Sequence, residues 1–145
     1  MTSADLGALG FGQWHAFGLN AERDLLAGVP NAFGVYSIRF AELQPRLRGL
    51  SDLAYVGKAT NSKGLRGRIR QYFHPGWRQS TNLAMKARLL AGMTLELAFA
   101  RLSTVHEAEQ MESRILIAFE AEHGERPPFN KQAALASILN PVETG

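Results

Sequence analysis

A mixed α/β domain is the fold class this sequence predicts, and three observations carry that expectation. Short segments rich in β-branched and aromatic residues alternate with segments of helical periodicity. Glycine and proline punctuate the junctions. The 145 residues, 46% of them hydrophobic, suit one domain able to bury about two-thirds of its unfolded surface.

The elements follow in order. Residues 1–31 read as an irregular arm rich in glycine and small residues, closing with a short helix over Ala21–Ala27 that Gly28 and Pro30 terminate. The principal domain spans 32–132. Its first strand candidate is Ala32–Phe40 and its second Leu53–Val56, followed by a turn at Gly57; strands so connected predict antiparallel pairing. Gly64–Phe73 is helical in pattern, His74–Trp77 breaks it, and Thr81–Ala91 forms a further helix ended by Gly92. Thr94–Leu102 is the third strand candidate. Val105–His123 is the longest helix, closed by Gly124, and Pro127-Pro128 enforces an extended stretch before a last helix near Lys131–Leu139. Residues 133–145 make up the remainder of that helix and a tail.

Charge is unevenly spread. The chain carries 16 Lys and Arg against 13 Asp and Glu, a net +3. Between Lys58 and Arg101, however, nine cations face one acid, Glu96, so this segment is +8 and the rest is −5. A local positive field on a mildly acidic body is suited to a polyanionic partner. The absence of cysteine excludes disulfides, thiolate metal sites and a cysteine nucleophile, and fits a reducing compartment. The first residues lack the pattern of a secretion signal, and no apolar run approaches the roughly 20 residues of a membrane span. A soluble, cytoplasmic protein is expected. His106-Glu107 does not open a zinc-protease helix, since Gln110 stands where a second histidine is needed, and Gly57-Lys58-Ala59 lacks the frame of a phosphate-binding P-loop.

Two helices hold the candidate chemistry. At about 100° per residue, Val105, Ala108, Met111, Ile115, Leu116 and Phe119 fall within an arc of about 140°, and Glu112 lies inside it. A carboxylate on an apolar stripe must be paired, protonated or coordinated to a cation. In GLRGRIRQYF, Arg66 and Arg70 share one face while Arg68 and Tyr72 share another. One face can therefore meet phosphates while the other points inward. Tyr72, Phe73, His74 and Trp77 interleave flat groups suited to sugars or bases, or to the core.

These residues carry a resemblance. Gly34-Val35-Tyr36 followed by Tyr55-Val56-Gly57 resembles the paired signature of the GIY-YIG nuclease superfamily, and the downstream order is similar: Arg68 on the next helix, Tyr72 four residues on, Glu112 on the long helix, and Asn130 after Pro127-Pro128-Phe129. The stretch YVGKATNSKGLRGRIRQYF resembles the start of the nuclease module of bacterial excision-repair incision subunits. The likeness covers about residues 32 to 132. It departs in two connections: 18 residues separate Tyr36 from Tyr55, more than is usual in the family, and extra residues precede Leu65. Insertions there bear on recognition more than on chemistry.

The resemblance implies a small three-stranded antiparallel sheet flanked by helices and a DNA endonuclease that hydrolyses phosphodiesters with Mg²⁺ or Mn²⁺. Glu112 is then the metal ligand, Arg68 the stabiliser of transition-state charge, Tyr36 or Tyr55 the base for the attacking water, and Tyr72 a positioning group. A phenol has a reference pKa of about 10, so Lys58, Arg68 and the metal must lower that of the base. Gly34 and Gly57 serve turns or close backbone approach, and Asn130 either takes part directly or caps the helix that follows. Lys58, Lys63, Arg66, Arg70, His74, Arg78, Lys86 and Arg88 are the expected nucleic-acid contacts. Target recognition falls to the inserted connections, the arm, or a partner protein or domain. The alternatives are a catalytically silent nucleic-acid-binding module on the same fold, or a partner-binding domain with a basic interface, which leaves Glu112 unexplained.

Overall fold

The computed structural model describes residues 1–76 and 79–130. Arg78, the helix expected near Lys131–Leu139 and the 133–145 tail lie outside them. The architecture is a mixed α/β arrangement in which an antiparallel sheet is covered on both faces. Its strands are β1 (His15–Phe17), β2 (Gly34–Pro45), β3 (Leu50–Ala59) and β4 (Leu95–Arg101), in the spatial order β1-β4-β2-β3. The helices are α1 (Glu22–Ala27), α2 (Gly64–Arg70), α3 (Ser80–Leu90) and α4 (Val105–His123), preceded by a 3₁₀ segment at Ser3–Leu9.

Among the described residues the sheet has four strands where three were expected. The additional one comes from the arm, where three residues pair with β4 through His15↔Leu97 and Phe17↔Leu95. Three residues are too short for an alternation signal, yet they cover the edge that β4 otherwise leaves open. Phe17 is buried and stands edge-on to Tyr72 and Phe73 at 5.6 and 5.5 Å between ring centres. Leu6 and Phe11 are buried as well, so the arm belongs to the same core as the rest of the domain.

The second difference concerns the long connection between Tyr36 and Tyr55. It is no loop: β2 runs on to Pro45 and β3 begins at Leu50, with register shifts after Ile38 and Arg39 and a tight reversal where Arg46 N donates to Gly49 O at 2.9 Å. The tip is held against the end of α4. Arg46 pairs with Glu125 at 3.2 Å, Glu125 also accepts from Leu47 N, and Arg48 Nη2 donates to Ala121 O at 2.9 Å.

Alternation along β2 assigns the two faces. Tyr36 and Ile38 join Tyr55, Leu65, Ile69 and Met85 in one buried cluster beneath α2 and α3, while Val35 joins Leu53, Val56, Ile115 and Phe119 in the other beneath α4. Thr104 caps α4 by accepting from Glu107 N. No helix among the described residues is long and apolar enough to cross a membrane. Beyond the pairing of β1, β3 is the other edge of the sheet, and the candidate site forms there.

Candidate active site

Gly57 is the point from which the site is built. It lies inside β3, not at a turn, and pairs across to Tyr36. A methyl group on it would sit 2.6 Å from the Tyr36 hydroxyl and 2.7 Å from the Tyr55 ring. Only a bare backbone lets the Tyr36 ring cross this position. Gly34 is the same kind of residue on β2, where an added Cβ would meet Leu65 Cδ1 at 2.7 Å and the Ala100 carbonyl. Both glycines permit close approach within strands; the chain turns only after Ala59.

The space left above Gly57 is filled by three tyrosines. Tyr36 and Tyr55 lie 5.9 Å apart between ring centres, and Tyr72, from the turn after α2, stands edge-on to both at 5.9 and 6.3 Å. The Tyr36 and Tyr72 hydroxyls share a hydrogen bond of 2.6 Å, and both residues are fully buried. Tyr55, at 8% exposure, is the only one of the three that reaches solvent.

Arg68 is held beside this cluster. Its guanidinium carbon lies 5.3 Å from the centre of the Tyr72 ring and 5.9 Å from that of Tyr36. Nη1 donates to Gln71 Oε1 at 3.1 Å and to Asn82 Oδ1 at 3.2 Å. Asn82 is buried on α3 and donates in turn to Gln79 Oε1, which also accepts from Gly76 N. The charge that β2 and α2 bring together is therefore oriented from α3.

Burial dominates the electrostatics. It raises the Tyr36 phenol far above its ordinary pKa, although Arg68 acts in the opposite direction, and it raises Tyr72 likewise. The lowering expected for a tyrosine base does not occur at Tyr36. Arg68 is kept cationic, with the oxygen of Tyr36 favouring the charge against the cost of burial.

Glu112 approaches from the other face of the sheet. It is half-buried on α4, with Lys58 Nζ 3.7 Å from Oε1. Burial raises its carboxyl pKa, while Lys58, then Arg126 and Arg68, pull it back without reversing the shift. Thus the cations around Glu112 include Arg68 from the tyrosine side, and the edge of β3 is where the two faces meet. Among the described residues, no three or more His, Asp or Glu side chains gather as a metal cluster. A lone half-buried carboxylate fits a hard cation such as Mg²⁺, which keeps most of its shell as water and phosphate oxygen, and does not fit a closed structural site.

The remaining expected residues divide. Lys63, Arg66, Arg70 and His74 are exposed along the outer side of α2 and its following turn, and Arg88 is exposed on α3. Of these, His74 meets Glu22 at 2.7 Å, and Arg66 Nε donates to Val29 O at 2.9 Å. Lys86 is half-buried and donates to Phe73 O at 3.1 Å, so its ammonium braces the turn that carries Tyr72. Asn130 lies within the helical residues 128–130 and clamps the β3 edge, its Oδ1 accepting from Val56 N and its Nδ2 donating to Val56 O. Its side-chain amide is thus committed to the sheet, and the segment it was expected to cap lies outside the described residues.

Gln71, Asn82 and Arg126 were not singled out from sequence. Asn82 had a detectable signal, a polar residue at helical spacing from Met85 and Leu89 on the buried stripe of α3. Gln71 and Arg126 had none. Comparison with protein-family models, with curated proteins and with solved structures found no match.

Proposed function

We propose that this chain is a divalent-metal-dependent DNA endonuclease of the GIY-YIG type. The observation that carries the proposal is the convergence, at the β3 edge, of a tyrosine cluster and Arg68 from one face of the sheet with Glu112 from the other, where Lys58 meets its carboxylate and Arg68 acts on it electrostatically. Tyr55 is the base. Tyr36 and Tyr72 are buried, hydrogen-bonded to each other and biased to remain protonated, whereas Tyr55 alone meets solvent. The Tyr55 oxygen, as the phenolate, takes a proton from the attacking water as the new P–O bond forms, and the leaving sugar oxygen departs with a proton taken from solvent. Arg68, oriented by Gln71 and Asn82, stabilises the charge that gathers on the phosphoryl oxygens. Glu112 would hold the cation, which when bound neutralises phosphate charge and makes water more acidic. Lys58 then neutralises part of the carboxylate or turns to the phosphate, since its side chain is 38% exposed.

A second reading rests on the same Lys58–Glu112 contact, which is also what a silent nucleic-acid-binding module with a structural ion pair presents. Incubation with supercoiled, branched and single-stranded DNA, with Mg²⁺ or Mn²⁺, separates the two. Cleavage by the natural chain and its loss in Tyr55→Phe, Arg68→Ala and Glu112→Gln supports the nuclease. Binding of DNA without any cleavage of these forms leaves the silent module.

A further inference from the structure

Away from the tyrosine cluster, two depressions adjoin at the ends of the strands. One of about 420 Å³ lies among Asn31, Asn61, Ser62 and Arg101, and a second of about 400 Å³ lies between the Gly28–Pro30 turn, Arg66 and Arg101. Arg101 borders both. It stands at the exposed end of β4 opposite Gly34, which pairs on its other side with Ala59, the neighbour of Lys58. Two interstrand steps of about 5 Å each thus separate its backbone from that of the candidate active site's strand.

The charge here is unopposed. Among the described residues no acidic side chain lines either depression, and neither Arg66 nor Arg101 has a carboxylate within ion-pair distance. Arg66 is tethered through Nε to Val29 O, which holds it at the border and leaves its terminal nitrogens without a protein acceptor among those residues. From Arg66 the positive surface continues over the outer side of α2, where Lys63, Gly67, Arg70, Gln71 and His74 border a shallow depression. Gln71 is the residue that accepts from Arg68. A track of cations therefore leads from Arg68 across α2 into the groove at Arg101. Its amides and hydroxyl suit phosphate and sugar oxygens.

We propose that this track and groove hold the phosphodiester backbone of a nucleic acid away from the scissile phosphate, so that the bound strand crosses α2 and ends against Arg66 and Arg101. The identity of the ligand rests on the nuclease reading; the position and course of the groove rest on the geometry above. The arginine that ends the track is a contact residue and has no part in cleavage chemistry.

The test uses the full chain, a short labelled DNA duplex and no divalent metal, with binding followed by anisotropy across a salt series. Each phosphate contact contributes about 0.9 to the slope of log affinity against log salt for duplex DNA. Arg101→Gln should lower the slope by about that amount, Arg66→Gln with Arg101→Gln by about twice as much, and Arg101→Lys should retain it. The melting temperature of Arg101→Gln should not change, because its side chain is exposed, while Arg66→Gln should lower it slightly through loss of the bond to Val29 O. Unchanged slope and affinity in the double variant, with the natural chain binding normally, overturns the groove and leaves the nuclease reading standing. Arg101-dependent binding by a chain that never cleaves with Mg²⁺ or Mn²⁺ supports the groove and removes the nuclease. Failure of the natural chain to bind DNA, or tighter Arg101-dependent binding of polyglutamate, overturns the groove as a nucleic-acid site.

Discussion

Tyr36, Tyr55 and Tyr72 are chemically identical side chains that burial and hydrogen bonding set apart. Removing one hydroxyl of the Tyr36–Tyr72 pair strands the other in the core, so Tyr36→Phe and Tyr72→Phe should each cost about 1–3 kcal/mol, while the double replacement should be nearly neutral. Denaturant unfolding of the four proteins measures this, and additive losses would mean the hydroxyls are not coupled. Tyr55→Phe should keep stability and lower turnover by about 10²–10⁴-fold, as loss of a general base does. Glu112 has its own pH signature. Its carboxyl pKa is raised in the folded state, so between the unfolded and folded values the folded chain binds the extra proton, and stability falls as pH rises through that window. Glu112→Gln removes this cost. Without metal its melting temperature at neutral pH should be level with or above that of the natural chain, with the difference shrinking as pH falls through the glutamate range. A variant less stable at neutral pH, by a margin that grows with pH, would show that Glu112 serves Lys58 as a structural partner.

At the scale of elements, the site depends on what α3 and β3 do to their neighbours. Asn82 reaches from α3 to Arg68 and touches none of the tyrosines by any hydrogen bond among the described residues, so on the proposed nuclease reading it is a positioning residue. Asn82→Ala should lower kcat about tenfold with KM nearly unchanged, the loss expected of one hydrogen bond to a charged group. Asn82→Asp, which restores an acceptor oxygen, should recover most of it. An equal recovery by Leu would reduce Asn82 to packing. In β3, Gly57→Ala drives a methyl into two packed rings and should cost about 1–3 kcal/mol. The β2–β3 extension was legible only as an unusually long connection. Nothing in residues 41 to 52 alternates strongly, and Leu43, Leu47 and Leu50 remain exposed; pairing between its two arms and the tether to Glu125 and Ala121 make it a ribbon.

Over the whole molecule, the described cations of the +8 segment 58–101 fall into two populations. Lys58, Arg68 and Lys86 are engaged within the protein, whereas Lys63, Arg66, Arg70, Arg88 and Arg101 are exposed and meet no carboxylate among the described residues. DNA affinity should therefore fall by orders of magnitude between low and moderate salt. Reversing the charge at Arg66 or Arg70 should weaken every sequence alike, and an affinity nearly independent of salt would remove the electrostatic basis of binding. Arg68→Ala, by contrast, should change affinity only a few fold while turnover drops about 10²-fold, and Arg68→Lys should rescue little because an ammonium does not reproduce the planar fork.

The α4 stripe with Glu112 inside it, the opposed faces of α2, and three of the four strands follow from periodicity, which depends only on neighbours in the chain. The paired triplets and the residues downstream of them supplied the candidate site for the same reason: they are local patterns. What the tertiary structure decided is of another kind. β1 forms because β4 offers an open edge, Asn130 clamps Val56 across 74 positions of sequence, and Asn82 finds Arg68 because α3 folds back over α2. Each of these is an interaction between residues whose meeting no local pattern encodes. The same holds for the choice among the tyrosines, since their order in the chain says nothing of which hydroxyl is sealed in the core and which one faces water.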